Sequence, residues 1–173
     1  MLNKKYVYNL AKKNIPKVEV KKQNFNRYQI AHLLKGNLNH GIELGVASGN
    51  FSREMLKTNK FKKFFGVDSF LDIHKKEFND ANKNTLLYKN KYNLIKSTFE
   101  NALKKFEDEY FDYIYIDGFA HTGQEGGKTI IQWYKKLKIG GIIAGDDYHK
   151  DWPLVLWAVN DFAKQIKSKI FLT

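Results

Sequence analysis

The sequence predicts an α/β protein built on an open, doubly wound sheet whose strands run mostly parallel. Short apolar runs alternate along the chain with longer amphipathic stretches, which is the pattern of consecutive strand–helix–strand units. The run Phe111–Ile116 is apolar at every position except Asp112, as expected of a central strand covered on both faces. The chain has 173 residues, and a chain of this size folds as one domain without disulfide or metal support.

The individual elements follow from the same patterning, and we expect residues 1–173 to form a single domain. A helical extension, 1–36, precedes a sheet-forming core, 37–173, and its helices are predicted at 1–14 and 25–35. The apolar runs predict strands at 40–44, 64–67, 92–96, 111–116 and 142–144, and residues 169–172 would begin a sixth. The stretches between them predict helices at 50–58, 98–106, 124–137 and 152–167, with a mixed segment at 71–90. The pair Gly140-Gly141 is a helix-ending signal and closes the helix 124–137.

The composition excludes several classes of protein. The chain has no cysteine, which excludes a disulfide scaffold, an iron–sulfur protein and a cysteine nucleophile. No apolar run approaches the roughly 20 residues that span a bilayer, and we expect a cytoplasmic protein. The formal net charge is +12, which is compatible with a nucleic-acid partner. The basic residues are nearly all lysines and are scattered along the chain, so we treat nucleic-acid binding as the less favoured alternative.

Acidic side chains end four of the five predicted strands. They are Glu43, Asp68, Asp117 and the pair Asp146-Asp147, while Ser97 ends the third strand. In an open parallel sheet the carboxyl ends of the strands share one edge, and ligands bind there near the point where the strand order reverses. The sequence therefore predicts a ligand site rich in carboxylates.

A glycine turn joins the first strand to the first helix of the core. Its spacing is Gly45-x-x-x-Gly49 and not the G-x-G-x-x-G of a pyrophosphate cradle, and Glu43 adds a negative charge beside it. Asp68, after the next strand, can accept hydrogen bonds from the two hydroxyls of a ribose. These features predict a ribose-containing ligand that carries an amine, and S-adenosylmethionine fits that description. The alternatives are an ordinary tight turn at Gly45–Gly49 and an Asp68 that caps the following segment through Ser69-Phe70.

Four segments resemble a known family. GIELGVASGNFS, FFGVDSF, FDYIYIDGFAH and LKIGGIIAGDDYH are similar to the successive motifs of class I S-adenosylmethionine-dependent methyltransferases. The likeness is greatest to the small-molecule and sugar O-methyltransferase branch, which includes the macrocin O-methyltransferase-like enzymes, and it covers residues 40–165. It implies a Rossmann-like methyltransferase sheet. Family members usually end in an antiparallel hairpin, and here that hairpin is short or missing.

The resemblance also implies roles for particular positions. Glu43 and the turn would hold the methionine part of S-adenosylmethionine, the turn residues being Gly45, Val46, Ala47, Ser48 and Gly49. Asp68, with Ser69 beside it, would bind the ribose. Ser97 and Thr98 would lie against the adenine, although Ser97 could instead cap the helix 98–106. Asp117 would contact the cofactor at the methyl-transfer centre.

A second acidic group is expected where two neighbouring strands end. Asp117, Asp146 and Asp147 would repel one another unless a metal ion, basic partners or raised pKa values compensate. Mg²⁺ prefers such carboxylates, and the resemblance implies that metal-dependent O-methyltransferases use these three positions as ligands. The alternative is that Asp146-Asp147 cap the next helix and only Asp117 acts in the reaction.

Methyl transfer to a hydroxyl needs a group that removes the hydroxyl proton. His121, four residues after Asp117, is the first candidate for this base, and His149 is the second. We therefore predict a methyltransferase that acts on a hydroxyl of a small polar acceptor, such as a sugar or glycan precursor. The alternatives are an RNA or protein methyltransferase recruited by the basic surface, and a non-catalytic module that binds S-adenosylmethionine or nucleic acid. A second subunit could complete an open acceptor pocket in a homo-oligomer.

Overall fold

The computed structural model describes residues 4–71, 75–118 and 126–173. Its α-helices are α1 (Lys4–Lys13), α2 (Asn50–Lys57), α3 (Lys75–Thr85), α4 (Phe99–Leu103), α5 (Lys128–Tyr134) and α6 (Pro153–Gln165). Its strands are β1 (Val20–Lys22), β2 (Asn39–Leu44), β3 (Phe61–Asp68), β4 (Tyr92–Lys96), β5 (Phe111–Ile116), β6 (Leu137–Gly145) and β7 (Ile170–Leu172). Two short 3-10 helices occupy Arg27–Leu33 and Leu86–Tyr88.

The main sheet has five parallel strands in the order β4-β3-β2-β5-β6, which confirms the predicted open doubly wound architecture. The chain runs outward from β2 through β3 to β4 and then returns to β5 on the other side of β2. The strand order therefore reverses between β2 and β5, and this is where a ligand is expected.

Helices cover both faces of this sheet, so its central strands are buried. On one face, Phe64 and Tyr113 pack with Met55 of α2 and with the 3-10 helix Arg27–Leu33. On the other face, Ile114 packs with Ala102 of α4 and with Trp133 of α5. This two-sided burial accounts for the nearly continuous apolar sequence of β5.

The glycine pair Gly140-Gly141 lies inside β6 and does not end a helix, so the predicted helix 124–137 is wrong at its carboxyl end. Helix α5 ends at Tyr134, and β6 already begins at Leu137. The pairing of β5 with β6 shifts register between Phe111 and Tyr113. Gly140 has a φ of 79°, a left-handed conformation that lets the longer strand bulge there. Glycine is common both at helix ends and at strand bulges, so the local sequence does not distinguish these two structures.

The two ends of the chain also differ from the prediction. The segment predicted as the helix 25–35 is the 3-10 helix Arg27–Leu33, and the capping box of Asn26 with Gln29 begins it. Strand β7 does not extend the main sheet as a sixth strand. It pairs in parallel with β1 in a separate two-stranded sheet. β1 was not predicted because its three residues, Val20–Lys22, are all exposed and carry no strand pattern.

The amino-terminal segment packs against the end of the core, because α1 contacts α6. The proposed division into an extension, 1–36, and a core, 37–173, stays a prediction. Within the described ranges, every helix is too short or too polar to cross a lipid bilayer.

Candidate functional site

Backbone hydrogen bonds join the carboxyl ends of β3, β2, β5 and β6 into one continuous edge. The N–H of Gly45 donates to the carbonyl of Val67 at 2.9 Å, and the N–H of Asp117 donates to the carbonyl of Leu44 at 2.8 Å. The N–H of Asp146 donates to the carbonyl of Ile116 at 3.1 Å. These bonds bring the glycine turn and the acidic residues after β3, β5 and β6 onto the same edge, as the sequence predicted.

The glycine turn needs its glycines for the backbone. Gly45 and Gly49 have φ values of 96° and 76°, and Ala47 between them is also left-handed at 45°. A Cβ on Gly45 would collide with the carbonyl of Asp117. Gly45 therefore lets the end of β2 approach the end of β5 closely.

The N–H groups of this turn are already bonded within the protein. Asp68 accepts from Val46 at 2.9 Å and from Ala47 at 3.1 Å with one carboxylate oxygen. Its other oxygen accepts from the N–H of Phe70 at 3.1 Å. Gly45 and Gly49 donate to backbone carbonyls. The turn therefore offers a pyrophosphate few donors, and the hydrogen bond from Phe70 is compatible with the alternative in which Asp68 caps the segment that follows it.

Glu43 lies beneath the turn and not within it. Its side chain is 1% exposed, and it accepts a hydrogen bond from the Ser52 hydroxyl, whose oxygen lies 3.0 Å from that of Tyr92. Burial, with the nearby charges of Asp117 and Asp68, raises the pKa of Glu43 well above its usual value. In this arrangement the carboxyl of Glu43 is bonded inside the protein to the first turn of α2 and is buried from solvent.

Ser97 and Thr98 follow β4 next to Asp68. The N–H of Ser97 donates to the backbone carbonyl of Asp68 at 2.9 Å. Thr98, and not Ser97, caps the next helix, since its side chain accepts from the N–H of Asn101 at 3.3 Å. Ser69 is half-buried beside Asp68. These residues lie together on the edge of the sheet, where the ribose and adenine were predicted.

A basic residue that sequence reasoning missed lies among the acids on the other side of the edge. Arg27, at the start of its 3-10 helix, forms an ion pair with Asp146. Its guanidinium also lies 5.1 Å from the ring centroid of Tyr28 and 5.8 Å from that of Phe51. The sequence offered one indication of this role. The chain contains only two arginines, and arginine is better suited than lysine to binding a carboxylate and an aromatic ring at the same time.

Asp117 has the most perturbed carboxylate on this side. Burial and the charge of Asp147 raise its pKa to about 6, while Arg27 acts in the opposite direction. Two of the three compensations expected for the acidic group are therefore present, a basic partner and a raised pKa.

The predicted Mg²⁺ is not supported. Among the described residues, no three histidine, aspartate or glutamate side chains form a group that could hold a metal, and Arg27 already engages Asp146. The alternative role of Asp146-Asp147 as a helix cap also fails, because Trp152 precedes α6 and Asp147 donates its N–H to Asp146 at 2.9 Å. The Asp146 carboxylate therefore accepts a hydrogen bond from its own neighbour and not from the first turn of α6.

The two candidate bases have different outcomes. His149 is exposed, and its imidazole lies 3.2 Å from the carboxylate of Asp151, so its side chain is engaged at the surface. His121 lies outside the described residues. The structure therefore leaves Asp117 as the carboxylate on the cavity side whose pKa is raised.

A cavity of about 1390 Å³ opens beside Asp117. The carboxyl end of β5, the whole length of β6, the 3-10 helix Arg27–Leu33, parts of α5 and α6, and β7 form its walls. Its polar lining at the sheet edge comprises Arg27, Tyr115, Asp117, Asp146 and Asp147. Of the residues predicted to hold the cofactor, Asp117 lines this cavity, while the turn and Asp68 do not. Asp117 therefore stands at the boundary between the glycine turn and the cavity.

Comparison with known proteins agrees with this geometry. A sequence model of the family described as a methyltransferase domain matches residues 42–148, which is more than half of the chain. The matched segment runs from β2 past the Asp146-Asp147 pair and so contains the whole carboxyl edge. No curated protein matches the chain.

Solved structures share the fold at low sequence identity. A candidate S-adenosyl-L-methionine-dependent methyltransferase of Methanococcus maripaludis is 19% identical, with a TM-score of 0.52 over 80% of this chain and 63% of that one. A candidate caffeoyl-CoA O-methyltransferase of Staphylococcus aureus is 17% identical, with a TM-score of 0.59 over 96% and 89%. An rRNA methylase of Streptococcus thermophilus is 13% identical, with a TM-score of 0.59 over 79% and 75%.

The chain spans less than two thirds of the length of the Methanococcus protein. The Staphylococcus and Streptococcus proteins are named for different acceptors, and all three neighbours bear on the fold and not on the acceptor. The family match and the sheet with its glycine turn and acidic edge agree with one another: the chain belongs to the family of class I S-adenosylmethionine-dependent methyltransferases.

Proposed function

We propose that this protein transfers a methyl group from S-adenosylmethionine to a hydroxyl of a small polar acceptor of the sugar or glycan-precursor class. The single observation that carries the proposal is the position of Asp117. This residue joins the glycine turn to the cavity, and its pKa is raised to about 6. A carboxylate with that pKa is ionised at neutral pH and still basic enough to accept a proton.

The turn side of the edge fits the cofactor. Ala47 is exposed at the turn, Asp68 and Ser97 lie beside it, and the bonded N–H groups disfavour a pyrophosphate. We assign the methionine part to the turn, from Gly45 to Gly49, the ribose to Asp68 with Ser69, and the adenine to Ser97 and Thr98. When bound, S-adenosylmethionine supplies an electrophilic methyl group on a sulfonium.

The cavity side of the edge fits the acceptor. Asp117 would take the proton of the hydroxyl as the oxygen becomes a nucleophile, a contribution of about 10²–10⁴-fold in rate for a placed general base. Arg27 and Asp146 supply hydrogen-bonding groups, and Tyr28 and Tyr115 supply rings, all of them lining the same cavity. This mixture suits a polyhydroxylated ring.

The first test is binding of S-adenosylhomocysteine, with NAD⁺ as the comparison ligand. A ligand present at about 100 times its Kd stabilises the fold by roughly 2.7 kcal/mol, which a melting curve resolves. We expect a rise in Tm with S-adenosylhomocysteine and none with NAD⁺. A rise with NAD⁺ alone would overturn the proposal.

The second test is transfer of a labelled methyl group from S-adenosylmethionine to a panel of sugars. Asp117→Asn should abolish transfer and keep S-adenosylhomocysteine binding. Asp108→Asn is the matched control, because Asp108 is an exposed carboxylate paired with Lys136 at the surface. Equal loss of transfer in both variants would contradict the role of Asp117.

The net charge of +12 supports one second candidate, an RNA methyltransferase recruited by its basic surface. Binding through phosphates weakens steeply as salt rises, so an RNA-binding series at increasing salt separates the two candidates. Binding of S-adenosylhomocysteine without transfer to any sugar, RNA or protein acceptor would favour a non-catalytic module. The cytoplasmic location and the homo-oligomer stay predictions.

A further inference from the structure

We propose that the acceptor carries a cationic amino group near the hydroxyl that is methylated, and that the carboxylate of Asp147 binds this group. The inference rests on the proposed function and names the substrate class of the same site. An amino sugar is the simplest compound of this class, since it holds an ammonium and several hydroxyls on one ring.

The charges at the sheet edge of the cavity do not balance. Three carboxylates, those of Asp117, Asp146 and Asp147, face one guanidinium, that of Arg27. Arg27 is paired with Asp146, which leaves the other two carboxylates without a paired cation among the described residues. Like charges in one place are unfavourable unless a counter-charge binds there. A cationic ligand would supply that charge.

Asp147 is the carboxylate that is free for a ligand. In the described part of the chain, its side chain forms no hydrogen bond or ion pair, and its own N–H donates to Asp146. Its charge nevertheless acts on Asp117, so the two carboxylates lie near each other. A group bound between them would sit beside the base that activates the hydroxyl.

A second observation points to a missing ligand at the same place. Among the described residues, the hydroxyl of Tyr115, like that of Tyr113, is buried without a hydrogen-bond partner, and the whole side chain of Tyr115 is 0% exposed. Tyr115 lines the cavity and senses the charges of both Arg27 and Asp117. Buried hydroxyls are nearly always bonded, and an acceptor hydroxyl or amine would satisfy this one once the cavity wall over it opens.

The lysines that line the cavity do not neutralise this edge. Lys138 pairs with Asp112 at 2.9 Å, and Lys169 pairs with Glu19 at 2.8 Å. Lys135 and Lys138 lie at the amino end of β6, about 20 Å from its carboxyl end at the usual rise of a strand. The negative charge near Asp147 is therefore local.

An ammonium group suits this position for chemical reasons. It offers three N–H donors to carboxylate oxygens, and a charge-assisted hydrogen bond is roughly twice as strong as a neutral one. An anionic acceptor would be repelled by the same carboxylates. Among sugars that differ only in charge, we therefore expect a cationic sugar to bind most tightly, a neutral sugar less tightly and an anionic sugar most weakly.

The experiment measures binding of D-glucosamine, D-glucose and D-glucuronate by saturation-transfer NMR in the presence of saturating S-adenosylhomocysteine. We expect D-glucosamine to bind at least tenfold more tightly than D-glucose, and D-glucuronate to bind most weakly. Asp147→Asn should remove most of this preference and leave S-adenosylhomocysteine binding unchanged. Asp108→Asn, which removes the same charge from an exposed position, should preserve the preference.

The outcomes separate the two proposals. Failure to bind S-adenosylhomocysteine contradicts the proposed function itself. Normal S-adenosylhomocysteine binding overturns the present inference alone if D-glucosamine binds no more tightly than D-glucose, or if none of the three sugars binds. Retention of the full preference in Asp147→Asn also overturns it, because another group would then recognise the amine.

Discussion

The carboxylates on the two sides of the sheet edge have different surroundings although their positions along the strands are similar. On the turn side, Asp68 accepts three backbone N–H groups and Glu43 accepts from Ser52 beneath the turn. On the cavity side, Asp117 and Asp147 face open space beside a single arginine. The carboxylates on the turn side have hydrogen-bond donors within the protein, whereas on the cavity side the negative charges outnumber the positive one.

The difference follows from the backbone beside each carboxylate. A left-handed turn directs several N–H groups to one point, and a carboxylate there stabilises the turn by accepting them. Within the described residues, no backbone N–H groups converge on the carboxylate of Asp117, and the residue's own N–H bonds to the carbonyl of Leu44. An acidic residue at a strand end therefore gains backbone N–H partners where a neighbouring turn supplies them, and Asp68 keeps a free lone pair with which to accept a bond from a ligand.

The strongest test of this contrast is Asp117→Asn. We expect transfer to fall by about 10²–10⁴-fold because the general base is lost, while the fold is kept. Wild-type activity should rise with pH up to about pH 6 and then level off, since the pKa of Asp117 is about 6. Initial rates from pH 5 to pH 8 check both expectations. A profile with no inflection near pH 6 would contradict the assignment.

The same shift has a consequence for stability. Because the folded pKa of Asp117 is raised above its ordinary value of 3.8, the native state holds the proton more tightly than the unfolded chain. Its contribution to stability is full below pH 4 and is lost as the pH rises through about 6. Asp117→Asn should remove this loss and therefore be no less stable than the wild type at pH 7.

Asp68 tests the turn side. Asp68→Ala should lower the free energy of unfolding by about 2–4 kcal/mol, because the N–H groups of Val46 and Phe70 lose their acceptor in a buried setting. Asp68→Asn keeps one acceptor oxygen and should lose about 1 kcal/mol. Urea unfolding curves measure both variants. If Asp68→Ala is as stable as the wild type, Asp68 does not hold the turn.

Arg27→Gln sharpens the account of the cavity side. Removing the guanidinium should raise the pKa of Asp117 further, since Arg27 now lowers it. We expect a several-fold loss of transfer at pH 6 and little loss at pH 8. Because the ion pair with Asp146 is partly exposed, the cost in stability should stay below about 1 kcal/mol. An unshifted pH profile would show that Arg27 does not act on Asp117.

The smallest effect is expected for Glu43→Gln. The pKa of Glu43 is raised by burial above its ordinary value of 4.5, so wild-type stability falls as the pH rises above that value. The glutamine variant lacks this fall and keeps a partner for Ser52, so we expect it to be at least as stable as the wild type at pH 7. Thermal unfolding at several pH values measures it. A large destabilisation would mean that Glu43 is needed in its charged form.

Local patterning predicted the main sheet well. The apolar runs of β2 and β5 are buried on both faces, and two-sided burial leaves a strong signal in the sequence. The glycine turn was predicted from Gly45 and Gly49, whose backbone requirement does not depend on distant residues. The acidic edge followed from topology alone, because parallel strands end on the same side.

The features that the sequence did not reveal depend on contacts between distant segments. Arg27 pairs with Asp146, which is more than a hundred residues away in the sequence. The sequence around Arg27 therefore gives no indication of this partner. β1 exists only because β7 pairs with it. Burial of Glu43 could have been inferred, since its neighbours Ile42 and Leu44 belong to a strand covered on both faces. Gly140 is compatible with both a helix end and a bulge, and only the pairing of β6 with β5 shows that it belongs to a strand.

The pairing of β1 with β7 has a consequence for the order in which the molecule forms. Val20 meets Ile170, so this sheet joins opposite ends of the chain, and contacts so distant in sequence are closed late in folding. During synthesis β1 cannot pair until β7 has been made, whereas the five-stranded sheet can assemble earlier. β7 and the adjoining segment line the cavity. The wall of the acceptor pocket is therefore expected to be the last part to form and the first to open, which admits ligands without disturbing the sheet that holds the cofactor turn.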